Sequence, residues 1–270
     1  MSNPKKEMSF LEHLEVLRWH LIRSVLAVLL FTVIAFFYKD VLFDVILLGP
    51  KNINFPTYKS LCFMSKYLGF QEALCLKESP FELINISMSG QFSTHILASL
   101  VAGFIVAFPY IFWELWSFIK PALYFNETRT VRGVVFFSST LFLLGVLFGY
   151  YVIAPLSVNF LGSYQVSANV VNQINLTSFI STVTLVTLAN GIIFELPILV
   201  YFLSRFGLLN PEMMRAYRKH ALICILILSA IITPPDVASQ FLVSLPLLVL
   251  YEISIRISKR VVSIKKNKNQ

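Results

Sequence analysis

Residues 133–194 read GVVFFSSTLFLLGVLFGYYVIAPLSVNFLGSYQVSANVVNQINLTSFISTVTLVTLANGIIF. This stretch of 62 residues contains no Lys, Arg, Asp, Glu or His. A water-soluble domain carries a charged side chain at about one position in four, so a soluble fold does not accommodate so long an uncharged segment. The composition of the whole chain agrees, with 57% hydrophobic and 13% charged residues and a mean hydropathy of +0.74. The sequence therefore predicts an integral membrane protein.

Six apolar segments are candidates for membrane spans, because about 20 apolar residues are needed to cross about 30 Å of hydrocarbon. They are about Leu21–Tyr38, His95–Phe112, Gly133–Ile153, Phe179–Leu203, Ala221–Ile232 and Val237–Ile253. The last two are short and adjacent, so they form either two shallow spans or one re-entrant hairpin. The predicted fold is an all-α membrane domain over residues 21–255 with six transmembrane helices.

The distribution of positive charge predicts the orientation of the chain. Seventeen of the 22 Lys and Arg residues lie on one side of the predicted spans, in residues 1–23, 113–132, 204–220 and 254–270. The other five lie in a predicted outer loop of about residues 39–91. Because cytoplasmic loops are enriched in Lys and Arg, both termini are predicted to be cytoplasmic, with 256–270 as a basic tail. The basic residues flank spans, so they do not indicate nucleic-acid binding.

Residues 1–20 are predicted to contain a cytoplasmic amphipathic helix. Ser9 and Glu12 have the spacing of a capping box. The apolar residues that follow recur every three or four positions, as in one stripe of a helix: Phe10, Leu14, Leu17 and Leu21. This pattern is typical of an interfacial anchor that leads into a first span.

The outer loop is long for a helix connection, so we expect it to have structure of its own. It contains Cys62 and Cys75 on the side predicted to be oxidising. They form either a disulfide, which would contribute about 3 kcal/mol of stability, or two free thiols. Pro50 in the same loop is predicted to be structural, since proline fixes the backbone.

Glu195 lies within the fourth predicted span. Burying a carboxyl group in a membrane costs free energy, so its presence there indicates a functional role. Pro197 is expected to open the helix next to it. The alternative is a protonated carboxyl group that only joins helices. Thr233 and Gln240 are further polar groups of the last hairpin, of the kind that hold helices together through hydrogen bonds. The sequence has no P-loop, H-E-x-x-H or G-x-S-x-G motif, so no enzyme, cofactor or metal is predicted.

Four sequence blocks together resemble the TatC family, the receptor subunit of the twin-arginine protein translocase. The blocks are FLEHLEVLR at 10–18, Phe118 with PALY at 121–124 and Glu127, FELP at 194–197, and TPPDVASQ at 233–240. They occur in the order of the family and cover about residues 9–255. The resemblance implies structural roles for Pro121, Pro197, Pro234, Pro235 and Asp236.

The resemblance implies a receptor in a bacterial inner membrane that binds signal peptides with two consecutive arginines on folded cargo. Arg18, Phe118 and Glu127 would belong to the signal-peptide site, because a carboxylate suits the planar guanidinium. The glutamate of the family's N-terminal signature is Val16 here. Glu15 stands one residue earlier, about 100° around the helix, and is included in the predicted site.

In the same resemblance, Thr233 and Gln240 would form the docking edge for the single-span partners TatA and TatB. The complex would contain several copies of the chain and use the proton gradient. Two other functions remain open on the residues alone. One is a proton-coupled small-solute transporter that uses Glu195 as its relay, and the other is an assembly scaffold without a ligand site.

Overall fold

The computed structural model of the chain describes residues 10–67, 69, 75, 81–119, 128–167, 172–233 and 237–268. These residues are mostly helical. The helices are α1 (Phe10–Phe37), α2 (Pro56–Tyr67), α3 (Gly90–Ile119), α4 (Thr128–Phe148), α5 (Ala154–Ser163), α6 (Leu176–Ile193), α7 (Leu196–Arg205), α8 (Pro211–Ala216), α9 (Arg218–Ile232) and α10 (Val237–Lys268). Two π-helical segments are Val41–Leu47 and Gly149–Ile153, and a 3₁₀ turn is Gly49–Lys51.

Two three-residue strands were not predicted from the sequence. Strand β1 (Glu82–Ile84) pairs in parallel with β2 (Gln173–Asn175). Strands of this length are too short to show a period in the sequence, and the second one lies in the uncharged stretch between two predicted spans. The all-α prediction is therefore correct for most of the described chain and omits this sheet.

Five helical segments in the described part of the chain are long and apolar enough to cross a membrane. They are Glu12–Phe37, Gly90–Ile119, Gly133–Ser163, Leu176–Arg205 and Ser239–Ser263. The fifth predicted span corresponds to α9, whose 15 residues extend about 22 Å and so fall short of the hydrocarbon thickness. The count of six spans and the cytoplasmic position of both termini stay predictions.

Three predicted boundaries differ from the helices in the structure. Helix α1 runs without a break from Phe10 to Phe37, so the described part of the amphipathic segment and the first span are one helix. Helix α3 continues to Ile119, past the predicted end at Phe112. The aromatic residues that follow Phe112 are compatible with a helix as well as with a loop. Helix α10 continues to Lys268, so the basic tail is helical up to that residue.

The chain divides into two compact units. Residues 1–37 and 99–140 form the first, and residues 38–98 and 141–270 form the second. In the first unit α1 passes close to α3 at Gly103, where an added Cβ would lie 2.6 Å from the backbone nitrogen of Thr32. Only a residue without a Cβ fits such an approach. Gly103 therefore fixes how closely these two helices pack.

Small residues also set the packing of the second unit. An added Cβ at Gly145 would lie 2.6 Å from the carbonyl oxygen of Asn190, and one at Gly191 would lie 2.8 Å from Val146. Helices α4 and α6 therefore meet backbone to backbone, as small residues allow inside membranes. A buried apolar cluster lies beside this contact and consists of Ile153, Val186, Ile225, Val243, Leu247 and Leu250.

The predicted outer loop does have its own structure, and it belongs to the second unit. The hydroxyl of buried Tyr58 lies 2.8 Å from the carbonyl oxygens of both Pro50 and Pro155, to which it donates. Burial raises the pKa of this phenol well above its usual value. The sulfurs of Cys62 and Cys75 are joined in a disulfide. Pro50 is buried, and its structural role stays a prediction.

Candidate functional site

Five side chains of α1 and α3 form a polar and aromatic cluster in the first unit, which we call the α1–α3 cluster. They are His13, His20, Tyr110, Glu114 and Phe118. Its α1 members are seven residues apart, or two turns of helix, so both face α3. Its α3 members recur every four residues and form one line along that helix. The periodicity of the two helices thus brings together residues that are far apart in the sequence.

Glu114 is the charged centre of the cluster and is only 2% exposed. Its Oε2 atom lies against Nδ1 of His20, and its Oε1 atom accepts a hydrogen bond of 2.7 Å from the Tyr110 hydroxyl. Burying a carboxylate is costly unless a cation and hydrogen bonds compensate for the lost water. Both carboxylate oxygens have partners, so the pair fixes the start of α1 to the end of α3.

Phe118 packs between the two histidines of α1. Its ring stacks on His13 with a centroid distance of 4.5 Å and an interplanar angle of 26°. Its edge contact with His20 has a centroid distance of 6.1 Å. The structure therefore places Phe118, a predicted site residue, against two histidines of the N-terminal helix.

The other predicted residues of α1 lie elsewhere on the helix. Arg18 and Glu15 are exposed and are rotated from His13 by about 140° and 200°, at 100° a residue. Val16 is also exposed, at 37%. Arg18 and Glu15 are therefore accessible to a ligand. Among the described residues, the contacts that form the α1–α3 cluster do not include them. Leu14 and Leu21 of the predicted stripe are exposed as well.

Several predicted site residues lie outside the described residues. They are Pro121 and Glu127 after α3, and Pro234, Pro235 and Asp236 between α9 and α10. Their roles therefore stay predictions from the sequence.

Glu195 lies at a break between two helices of the second unit. Helix α6 ends at Ile193, and α7 begins at Leu196 with Pro197 as its second residue. The opening of the helix predicted at Pro197 is therefore present. The Glu195 carboxyl is partly exposed, and its Oε1 atom is buried. A carboxyl group at such a break can offer a polar contact at membrane depth.

The polar groups of the last hairpin make two different kinds of hydrogen bond. The Thr233 hydroxyl is buried and donates to the carbonyl of Ser229 over 2.8 Å, within its own end of α9. The Gln240 amide donates to the carbonyl of Leu226 over 3.2 Å and so joins α10 to α9. Of these two polar groups, Gln240 is therefore the one whose hydrogen bond joins the two helices of the hairpin.

Sequence reasoning missed Glu114, because it placed residues 113–132 in a loop. The spacing of Tyr110, Glu114 and Phe118 at four-residue intervals could have revealed one face of a continuing helix. It also missed the close contact at Gly145 and Gly149, which have the small-xxx-small spacing of helix packing in membranes. Within the described residues, no group of three His, Cys, Asp or Glu side chains could hold a metal ion.

Comparisons with known proteins give one consistent result. A sequence model of the family described as "Sec-independent protein translocase protein (TatC)" matches residues 12–246. The chain is 40% identical over 259 residues to the Sec-independent protein translocase protein TatC of Blattabacterium sp. subsp. Periplaneta americana (strain BPLAN), covering 96% of this chain and 97% of that protein. It is 34% identical over 255 residues to the TatC protein of Aquifex aeolicus (strain VF5), covering 93% and 95%.

A solved structure agrees with these sequence relatives. It is the crystal structure of the twin arginine translocase receptor TatC, which superimposes with a TM-score of 0.70 at 34% sequence identity. The match covers 93% of this chain and all of that one. Likeness in fold and likeness in sequence therefore each extend over most of the chain.

Proposed function

The chain belongs to the TatC family of Sec-independent protein translocase proteins, and on this premise we propose that it is the receptor subunit of a twin-arginine translocase. In this function it binds the twin-arginine signal peptide of a folded protein at the membrane. It then recruits single-span TatA and TatB subunits, and the proton gradient drives export.

The observation that carries the proposal is the contact of Phe118 with His13 and His20. It joins two of the sequence blocks that resemble the family, one in α1 and one at the end of α3. An aromatic side chain suits an arginine, because a planar guanidinium stacks on rings.

We assign the binding of the two arginines to Phe118 and the exposed residues of α1, together with Glu127, which is assigned from the sequence resemblance alone. Glu127 supplies the carboxylate for one guanidinium, and Phe118 supplies an apolar wall. Glu15 and Arg18 are exposed on α1 and contact the polar residues that flank the arginines. Glu114 acts indirectly, because His20 and Tyr110 already bind both of its oxygens.

The membrane arrangement follows the charge distribution. Both termini lie in the cytoplasm, and α9 and α10 form a shallow final pair of spans in a bacterial inner membrane. Because α9 is short, this edge of the protein spans less of the membrane thickness. Thr233 and Gln240 lie where α9 ends and α10 begins. This edge is where single-span partners dock, and several copies of the chain assemble in the working complex.

Glu195 supports the later stage of transport. It lies at the break between α6 and α7 and offers a polar point to a signal peptide that has inserted as a hairpin. A carboxyl group in that position compensates for part of the cost of bringing peptide backbone into the membrane.

The proposal is tested by export of a twin-arginine reporter from cells that carry Glu127→Ala. Export is expected to fail while the protein accumulates in the membrane at its usual level. Glu212→Ala is the matched control, since it removes an exposed acid from α8. Normal export by the Glu127 variant would overturn the role assigned to this residue.

A further inference from the structure

Helix α2 presents two very different faces. Tyr58 and Ser65 on one face are 5% and 0% exposed. Phe63 and Tyr67 on the other are 72% and 84% exposed. Lys59 and Lys66 are also exposed on that side. At 100° a residue these four side chains fall within an arc of about 100°, and we call them the basic-aromatic face of α2.

The buried face of α2 is firmly attached to the second unit. Phe55, just before the helix, stacks on Tyr151 with a centroid distance of 5.6 Å. The Thr57 hydroxyl donates to the carbonyl of Tyr151, and Tyr58 is held by two carbonyls. The helix therefore lies beside the π-helical segment Gly149–Ile153, and its orientation is fixed by these contacts.

The position of Tyr151 along its own span gives the depth of α2 in the membrane. The apolar segment Gly133–Ser163 is 31 residues long, while about 20 residues cross the hydrocarbon. Arg132 immediately precedes this segment in the sequence, and basic residues are typical of membrane surfaces, so we expect one boundary near Gly133. Counting about 20 residues along the same segment reaches Ile153, so we expect Tyr151, and α2 beside it, near the opposite boundary.

We propose that the basic-aromatic face of α2 is a binding surface for anionic phospholipid headgroups of the leaflet opposite to Arg132. Aromatic rings are favoured at the headgroup level, and lysine side chains extend from apolar surroundings to reach phosphate. Helix α2 contains no acidic residue of its own, and its exposed Lys59 brings a positive charge that complements an anionic headgroup. The established family role does not require this surface, and the proposal stands independently of signal-peptide binding.

Photo-crosslinking in proteoliposomes tests the proposal with the full-length protein. Benzoylphenylalanine is introduced at position 63 or, as the control, at Val166, which is 89% exposed beyond the end of α5. The vesicles contain phosphatidylcholine alone or with phosphatidylglycerol. We expect a lipid adduct from position 63, richer in phosphatidylglycerol than the bilayer, and no lipid adduct from position 166.

The charge of the face is tested separately. Lys59→Gln is expected to lower the enrichment of phosphatidylglycerol about fivefold, because a basic residue at an anionic surface contributes about that factor. Lys259→Gln removes a charge that is also exposed, from α10, and should leave the enrichment unchanged. Adducts of position 63 with a second copy or another protein, or no adduct in any vesicle, would overturn the proposal. Equal labelling of both lipids would overturn its anionic specificity.

Discussion

Nδ1 of His20 on α1 lies against Oε2 of Glu114 on α3, and this contact joins two helices whose sequence blocks are nearly a hundred residues apart. The carboxylate is almost completely buried, and Tyr110 binds its second oxygen. The pair therefore holds α1 against α3 at this end of the first unit, as the close approach at Gly103 does further along the same two helices. It sets how α1 is placed against α3.

The first prediction concerns the energy of this pair. Glu114→Ala should lower the free energy of unfolding by about 3 kcal/mol, because it removes a buried carboxylate together with its contacts to partly buried His20 and to Tyr110. A double-mutant cycle with His20→Ala should give a coupling energy of about 2 kcal/mol, measured by denaturant unfolding in detergent. The exposed pair of Arg218 and Glu252 is the matched control, and Arg218→Ala should cost less than about 1 kcal/mol. Equal costs for the two pairs would contradict the role of burial.

The second prediction concerns the contact between α4 and α6. Gly145→Ala should cost about 1–3 kcal/mol of stability, because the new Cβ would collide with the carbonyl oxygen of Asn190 and with Phe194. Gly133→Ala lies in the same helix with nothing within 4 Å of its added Cβ and should be neutral or slightly stabilising. Thermal unfolding of both variants in the same detergent measures the difference. If Gly133→Ala were the more damaging change, the close packing of these helices would be refuted.

The third prediction concerns the cysteines. In the unfolded protein without reductant a maleimide should label one thiol, that of Cys224, and after reduction it should label three. Replacing both Cys62 and Cys75 by serine should lower stability by about 3 kcal/mol, since the bridge closes a short loop. Intact mass after labelling gives the count. Three labelled thiols in the unreduced, unfolded protein would mean that the bridge does not form.

The fourth prediction separates the two polar groups of the last hairpin and rests on the proposed partner docking. Gln240→Leu removes the hydrogen bond that joins α10 to α9 and should reduce co-purification of a TatB subunit severalfold. Its effect on unfolding should be only about 0.6 kcal/mol, the usual value for such a bond in a membrane. Thr233→Val removes a bond within one helix end and should affect partner recovery less. The reverse order would contradict the assignment of Gln240 as the connecting residue.

The sequence was sufficient for the membrane class and for most of the helices. The absence of charge from Gly133 to Phe194 predicts spans because hydrocarbon excludes charged groups. The break before Pro197 was equally predictable, since proline cannot supply the missing backbone donor. These features depend on the local chemistry of the chain.

The features that were missed depend on contacts between distant residues. A loop was expected around Glu114 because the second predicted span ends at about Phe112, and only the fold provides His20 as its partner. The pairing of β1 with β2 likewise joins two short segments that have no signal of their own. Glu127 and Pro234 lie outside the described residues, so their roles stay predictions from the sequence.

Photo-crosslinking of a twin-arginine signal peptide to the purified protein in detergent tests the central claim most directly. A photoreactive residue beside the arginine pair should label α1 near Arg18 and the end of α3 near Phe118. Replacing both arginines by lysines should abolish most of this labelling, because an ammonium group cannot form the same planar, two-point contacts. Equal labelling by the two peptides would contradict the assignment of this chain as the twin-arginine receptor.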